Sequence, residues 1–342
     1  MNIKFKNISL GLAISLFSLA FFFSAAEIFA RIYDRYADVP IHPKAERRDD
    51  DIPRLTGVRI AKEPGVRRIL VLGDSIAAGQ AIMKEETFSR RLEILINEGL
   101  IVKRYEVINT GFSGINTPEE LNILLNRGPF PYTRPNLSRE GYQGLAYKPD
   151  ILILQYTVEN DAPLMNASYE VAMPHRWAKD RARRYNFGNY ALPLPENIDR
   201  WLTKKSHFYL FLLYKYHKLL TVMGLRSELN KIKMMYSPSA EGWQRTRQSM
   251  YRIGQIARSQ NIPAVLVLWG TTNKTPLKDF YDLVSAYGRK SGFRVLNLVE
   301  DVKWPNEDFA VSMVDGHPNG RANKIAADAI FNFIINEKLV PR

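Results

Sequence analysis

Arg68-Ile69-Leu70-Val71-Leu72-Gly73-Asp74-Ser75 is the stretch on which the fold turns. After Arg68 the run is continuous Ile, Leu and Val, the pattern of a strand covered on both faces. It ends abruptly on Gly-Asp-Ser, a tight turn leading towards a helix. Four further short apolar runs repeat the pattern: Tyr105–Asn109, Ile151–Tyr156, Ala264–Trp269 and Arg294–Leu298. Amphipathic stretches lie between them. Thr87–Asn97 sets Phe88, Leu92 and Leu95 on one face. Pro118–Leu125 follows Thr117, with Thr117-x-x-Glu120 readable as a capping box and proline at the first helical position. Glu241–Gln260 and Lys278–Arg289 precede the fourth and fifth runs, and Arg321–Asn336 closes the chain. Strand–helix alternation of this kind predicts a five-stranded parallel sheet wound with helices, a doubly wound α/β fold.

In a parallel sheet, ligands gather at the carboxyl ends of the strands. Ser75 is placed there, its hydroxyl exposed and neighbouring backbone N–H groups able to face a developing oxyanion. An isolated Gly-Asp-Ser is no more than a capped turn. Here Asp315-Gly316-His317-Pro318-Asn319 stands just before the last helix. Serine is a weak nucleophile until a base takes its proton, and histidine does this at neutral pH. The base in turn needs an acceptor on its second nitrogen, and Asp315 lies two residues away. The chain has five His. His42 falls in a linker and His175, His207 and His217 in an insertion, leaving His317 in a loop at a helix start beside an acid. Two more loops follow strands. Asn109-Thr110-Gly111-Phe112-Ser113-Gly114 permits close backbone approach through its glycines. Glu159-Asn160-Asp161 offers a side-chain amide.

Length and composition bound the rest. The chain has 342 residues, ample for a large core, and its 24% charged and 11% aromatic content excludes wholesale disorder. Cys is 0, which excludes disulfides, thiolate metal sites, Fe–S clusters and a cysteine nucleophile. No spaced His/Asp/Glu cluster suggests a metal, and no cofactor is expected. The net charge of +13 points to an anionic neighbour, whether membrane surface, acidic glycan or nucleic acid.

Ile8–Ala26 is 19 residues without a charge. As a helix it spans about 29 Å, the thickness of a bilayer core. Lys4 and Lys6 precede it. Residues 1–35 therefore read as a retained anchor; a cleaved signal is the alternative, with Ser24-Ala25-Ala26 as a small-residue site. The lysines favour an inside N-terminus and an extracytoplasmic bulk. Residues 36–66 read as a linker, with Asp49-Asp50-Asp51 beside Arg47-Arg48 and several prolines. The main domain runs from 67 to 342. It is interrupted by a basic, aromatic insertion at 163–240 carrying 13 Lys/Arg against 5 Asp/Glu. This insertion, with the helix candidate His207–Met223, is expected to cap the substrate cleft, lie on the membrane, or simply pack on the sheet.

Taken together, Gly73-Asp74-Ser75, the Asn109-x4-Gly114 loop, the Asn160-Asp161 loop and the Asp315/His317 pair resemble the SGNH/GDSL hydrolase superfamily, in its order. The long form Val71–Gln80, then Glu86-Thr87-Phe88 and Asn109–Thr117, is similar to its membrane-anchored bacterial branch. The resemblance covers about Arg67 to Asn336. It implies a flavodoxin-like three-layer α/β/α sandwich. It also implies Ser75 as nucleophile, His317 as base, Asp315 as orienting acid, and an oxyanion hole of the Ser75 N–H, Gly114 and Asn160. Two positions depart from the family pattern. Its acid usually stands three residues before the histidine, not two, and a glycine usually stands where Glu159 is. Glu159 is expected to alter the oxyanion pocket or to set a carboxylate near it. The implied activity is ester hydrolysis through an acyl-enzyme, on a small-molecule, glycan or lipid ester. An O-acetyltransferase with the same triad and a non-catalytic envelope scaffold are the alternatives. Nucleic acid is not expected as a partner, because no recognised motif supports it.

Overall fold

The computed structural model describes residues 2–37, 39–41, 58–99, 104–131, 136, 141–162, 194, 196–223, 228–270, 277–313 and 315–340. Most of the linker, the first part of the insertion, and His42 and His175 lie outside the described residues. The chain divides into two compact units. The larger comprises residues 45–177, 227–311 and 317–342, and the smaller residues 1–44, 178–226 and 312–316.

The larger unit is built on five strands: β1 (Arg67–Leu72), β2 (Tyr105–Asn109), β3 (Ile151–Tyr156), β4 (Ala264–Leu268) and β5 (Arg294–Asn297). All pair in parallel, in the order β2-β1-β3-β4-β5. That is the flavodoxin-like order, as in the fold that the family resemblance implies. β1 lies between β2 and β3, with Ile69 opposite Ile151 and Val71 opposite Ile153. The chain leaves β1 for one side of the sheet and later returns on the other. In such sheets ligands bind where the winding reverses, at the carboxyl ends of β1 and β3, and Ser75 and Asn160 follow those ends.

Alternate strand residues face opposite layers. Leu70, Leu72, Leu152, Leu154, Leu266 and Leu268 pack with α4 (Thr117–Leu124), and with two helices whose ranges are Glu241–Ser259 and Lys278–Ser291. Ile69, Val71, Ile153, Val265 and Val267 pack with α3 (Phe88–Gly99) and the final helix, Gly320–Asn336. Both faces are thus covered, giving three layers, and each fully buried Leu, Ile or Val contributes roughly 1.5–3 kcal/mol of transfer free energy.

Two local expectations are corrected. The cap of α4 is Asn116, paired with Glu119, whose Oε2 accepts the Asn116 N–H at 3.1 Å. Thr117 and Glu120 are instead buried helical residues, so the box lies one residue earlier than the Thr117-x-x-Glu120 reading. The fifth strand stops at Asn297, because the Asn297 side chain accepts from the Val299 N–H at 3.1 Å and starts a short helix at Leu298.

Arg68 is buried within this apolar layer, 2% exposed. All five of its N–H donors are used. Nε reaches Glu106 at 3.0 Å; Nη1 reaches the carbonyls of Ile60 and Tyr147, both at 2.9 Å; Nη2 reaches those of Arg59 at 2.8 Å and Ala61 at 3.2 Å. The guanidinium therefore fastens the segment before β1 to the sheet. Arg68→Met strands these acceptors, and is expected to cost about 3 kcal/mol or more, read as a lowered unfolding midpoint. Arg68→Lys, with three donors in place of five, should recover only part. A midpoint unchanged in Arg68→Met would remove this role.

The smaller unit contains α1 (Asn2–Tyr36), α5 (Glu196–Lys205) and α6 (His207–Val222). Gly11–Tyr36 of α1 is long and apolar enough to cross a membrane, and none of its most apolar window is buried by protein. The helix runs well past Ala26, where the uncharged run ends, into Glu27, Arg31 and Asp34.

Candidate active site

The strand β1 delivers its chain into a turn that only glycine can open. A Cβ on Gly73 would lie 2.5 Å from the Gln155 Oε1 and 2.6 Å from the Ala77 Cβ. Asp74 then caps α2 (Ser75–Ala78), its Oδ1 accepting the Ile76 N–H at 2.8 Å. Gly79, left-handed at φ 63°, ends this single turn. Ser75 is its first residue, so its backbone N–H has no partner within the helix and faces outward with the helix dipole.

Gln155 anchors this turn from beneath. Its Oε1 accepts from the N–H groups of Asp74 and Ala77, each at 3.2 Å, and its Nε2 donates to Thr157 Oγ1 at 2.9 Å. One buried amide thus joins the serine turn to the loop after β3. That loop is a turn in which the Asn160 and Asp161 N–H groups donate to the Thr157 carbonyl at 3.0 and 2.9 Å, while the Thr157 N–H donates to the Asp161 carboxylate. Asn160 lies on it with its Nδ2 donating to Asp74 Oδ2 at 2.7 Å. Asp74 therefore holds two site elements, the serine helix and the Asn160 amide.

The loop after β2 wraps the same turn. Thr110 and Phe112 donate their N–H groups to Val71 and Gly73 carbonyls at 2.9 and 3.1 Å. Asn109 Nδ2 reaches the Ala77 carbonyl at 2.6 Å. Gly114 follows with φ 82°, a left-handed backbone suited to glycine, and is exposed.

His317 comes from the opposite end of the chain. The Val311 N–H donates to the His317 carbonyl at 2.8 Å and the Asn319 N–H to that of Phe309 at 2.7 Å, so the His317 loop is pinned as a short antiparallel bridge. Asn319 then caps the final helix through the Arg321 and Ala322 N–H groups. Asn323 takes the Phe88 N–H at 3.0 Å and donates to the Pro318 carbonyl at 3.1 Å, tying this loop to α3. The result is His317 Nε2 at 2.9 Å from Ser75 Oγ, across 242 residues of sequence. With Nδ1 protonated, Nε2 is the acceptor and Ser75 the donor. Asp315 falls in the smaller unit, in a turn closed by its own N–H on Ser312 Oγ at 3.0 Å and its carbonyl on the Ser312 N–H at 3.2 Å. The carboxylate of Glu159 is 3.5 Å from the Tyr281 hydroxyl, which also donates to the Trp269 carbonyl at 3.0 Å.

The groups beneath the serine are acidic and buried. Asp74, Glu120 and Asp161 are all buried. Burial pushes the Asp74 carboxyl up, against the opposing pull of the Ile76 N–H and the Asn160 amide. Burial, with like charge from Asp161 and Asp74, holds Glu120 protonated well above the usual carboxylate range. Among the described residues neither Glu120 oxygen has a hydrogen-bond partner, and no group of His, Asp and Glu is placed to hold a metal. The folded chain keeps a proton on Glu120 that the unfolded chain releases above its ordinary 4.5, so stability falls as pH rises from there towards the raised value. Glu120→Gln removes that titration. Its melting temperature is expected to match the parent near about pH 4 and exceed it near about pH 8. An equal difference at both would show that Glu120 does not titrate this way.

Ser75 and His317, singled out in the sequence, are brought together, and Asn160 is one hydrogen bond from the residue beside Ser75. Gln155 and Asn323 went unread, and Asn109 was read only as the start of the Asn109-x4-Gly114 loop. Gln155 left one trace, a polar residue inside an otherwise apolar strand.

No family model matches this chain, and no curated protein does. Among solved structures it is similar to a lipase/acylhydrolase from Enterococcus faecalis, at 14% identity and TM-score 0.42, over 79% of this chain and 96% of that one. It is likewise similar to a lipolytic protein of the G-D-S-L family from Desulfitobacterium hafniense, at 14% identity and TM-score 0.39, over 78% and 98%.

Proposed function

We propose that this chain is a serine esterase of the SGNH/GDSL type, anchored in a membrane by α1 and acting outside the cytoplasm on O-acylated envelope glycan or lipid. The observation that carries the reading is the 2.9 Å contact between Ser75 Oγ and His317 Nε2. It counts against the non-catalytic scaffold, which requires neither residue to be near the other.

In the proposed reaction His317 Nε2 takes the hydroxyl proton as Ser75 Oγ attacks the ester carbonyl. The tetrahedral oxyanion is met by the Ser75 N–H, the Gly114 N–H and the Asn160 amide. Asn160 has two N–H groups on one nitrogen. One is held by Asp74, which orients the other towards the oxyanion. Asp315 accepts from His317 Nδ1 and stabilises the imidazolium. The alcohol departs with the histidine's proton. Water then attacks the acyl-enzyme, His317 takes its proton, and Ser75 is regenerated as the acid leaves. The 13 Lys/Arg in residues 163–240 favour a polyanionic envelope surface as a neighbour of the chain.

Labelling of the full chain in detergent with a fluorophosphonate tests the reading. Labelling is expected in the parent, absent in Ser75→Ala and weak in His317→Ala. No labelling of a folded parent, or labelling that survives in Ser75→Ala, would overturn it. A sugar hydroxyl acceptor that intercepts the acyl-enzyme faster than water would instead make the chain an O-acetyltransferase.

A further inference from the structure

We propose that α6 is a second membrane-contacting element, its outward face lying on or in an anionic lipid surface beside the α1 span. The proposal rests on the reading of α1 as that span.

Within the smaller unit, α6 is apolar on opposite sides. Tyr209, Leu210 and Leu213 are buried with Ala30 and Ile41. The opposite side carries Leu212, Leu219 and Val222, at 41%, 54% and 79% exposed. Positions 208, 212, 215, 219 and 222 share one helical face by their three- and four-residue spacing. A water-facing helix surface is ordinarily polar, so an apolar stripe opposite a buried one calls for a non-aqueous partner.

The stripe is continuous with the span. Phe208, at its start, meets the rings of Phe22 and Phe23 edge-on, at 6.3 and 6.2 Å between centroids. Phe22 and Phe23 lie inside the uncharged run of α1 and are themselves exposed. The start of α6 is fixed at the end of that run. Glu27 accepts from Ser206 Oγ at 2.7 Å and from the His207 and Phe208 N–H groups, both at 3.1 Å, capping the helix. Arg31 donates to the Lys205 carbonyl at 2.8 Å, and Asp34 pairs with His207 at 2.7 Å. These polar contacts mark a headgroup level, with Phe208 just on its apolar side. Lys215 and Lys218 are exposed, and the Lys215 ammonium lies 5.1 Å from the Phe211 ring centroid. Lys215 stands within the stripe and Lys218 at its edge, and lysines set in an otherwise apolar face are the composition that binds anionic headgroups.

The chain has Cys 0, so single cysteines can be placed without background. Full chains bearing Leu219→Cys, Val222→Cys, Phe17→Cys or Leu283→Cys are labelled with an environment-sensitive fluorophore. They are reconstituted in vesicles of phosphatidylcholine and phosphatidylglycerol. Bromolipid quenches labels in lipid, and iodide quenches labels in water. Positions 219 and 222 are expected to lose emission to bromolipid as position 17 does, and to resist iodide that quenches position 283. Iodide access at 219 and 222 with lipid access at 17 overturns the proposal and leaves the anchor standing. Shielding from both quenchers indicates a protein contact, such as a second copy, and also overturns it. Iodide access at 17 overturns the anchor reading, and the proposal with it.

Discussion

Ser75→Ala is expected to lower kcat/KM for a short-chain ester on the order of 10⁶-fold, and His317→Ala by about as much. The two residues act as one unit through their 2.9 Å contact, so the double variant should be no slower than either single one. Without the serine the histidine has no proton to take, and without the histidine the hydroxyl stays a weak nucleophile. Asn160→Ala is expected to be milder, on the order of 100–1,000-fold, since it removes one oxyanion donor and leaves the backbone donors in place. Rates of p-nitrophenyl acetate hydrolysis by the parent and the four variants give the comparison. Losses that multiply in the double variant would mean that Ser75 and His317 serve different steps, and the acyl-enzyme scheme would have to be abandoned.

The parts of the molecule legible in the sequence are those set by apolar patterning. The β1 run and its four companions announced a parallel sheet, because strands covered on both faces need no polar alternation. Gly73 and Ser75 were legible because a tight turn at a strand end has few chemical solutions. Residues that act through one long-range hydrogen bond were not legible. Gln155 supports the serine turn only because β3 lies beside β1, and strand pairing is not written in either strand alone. Arg68 stood only as the first residue of the β1 run. Its burial depends on carbonyls near 60 and 147 that converge only in the folded chain. The α4 cap was misplaced by one residue because Asn116-Thr117 and Glu119-Glu120 offer two overlapping boxes. The register is decided by packing, which turns Thr117 and Glu120 inward.

Gly111 shows how such hidden packing controls the chemistry. A Cβ there would lie 2.4 Å from the Ala78 nitrogen, 2.7 Å from the Ala77 carbonyl carbon and 2.8 Å from the Ala77 Cβ. At Gly73 the obstacles are side-chain atoms, the Gln155 Oε1 at 2.5 Å and the Ala77 Cβ at 2.6 Å. At Gly111 the nearest obstacle is the backbone of α2, the helix that carries Ser75. Gly111→Ala must therefore push the loop and the helix apart. That separation strains the Asn109–Ala77 contact at 2.6 Å and the Phe112–Gly73 contact at 3.1 Å. The expected loss is about 3 kcal/mol of stability, as for overpacking in a closed core. A shift of the nucleophile by about 1 Å should also lower kcat on the order of 100-fold in the fraction that remains folded. Gly316→Ala is the matched comparison: Gly316 is exposed beside His317, and among the described residues its added Cβ meets nothing within 4 Å. It should change stability by less than about 0.5 kcal/mol. Unfolding midpoints and single-turnover rates of the two variants separate the effects. Equal behaviour would show that close backbone packing at Gly111 does not position Ser75. A kcat loss confined to Gly111→Ala, measured below its unfolding range, would show that the loop after β2 sets the serine's place as firmly as the strand that delivers it.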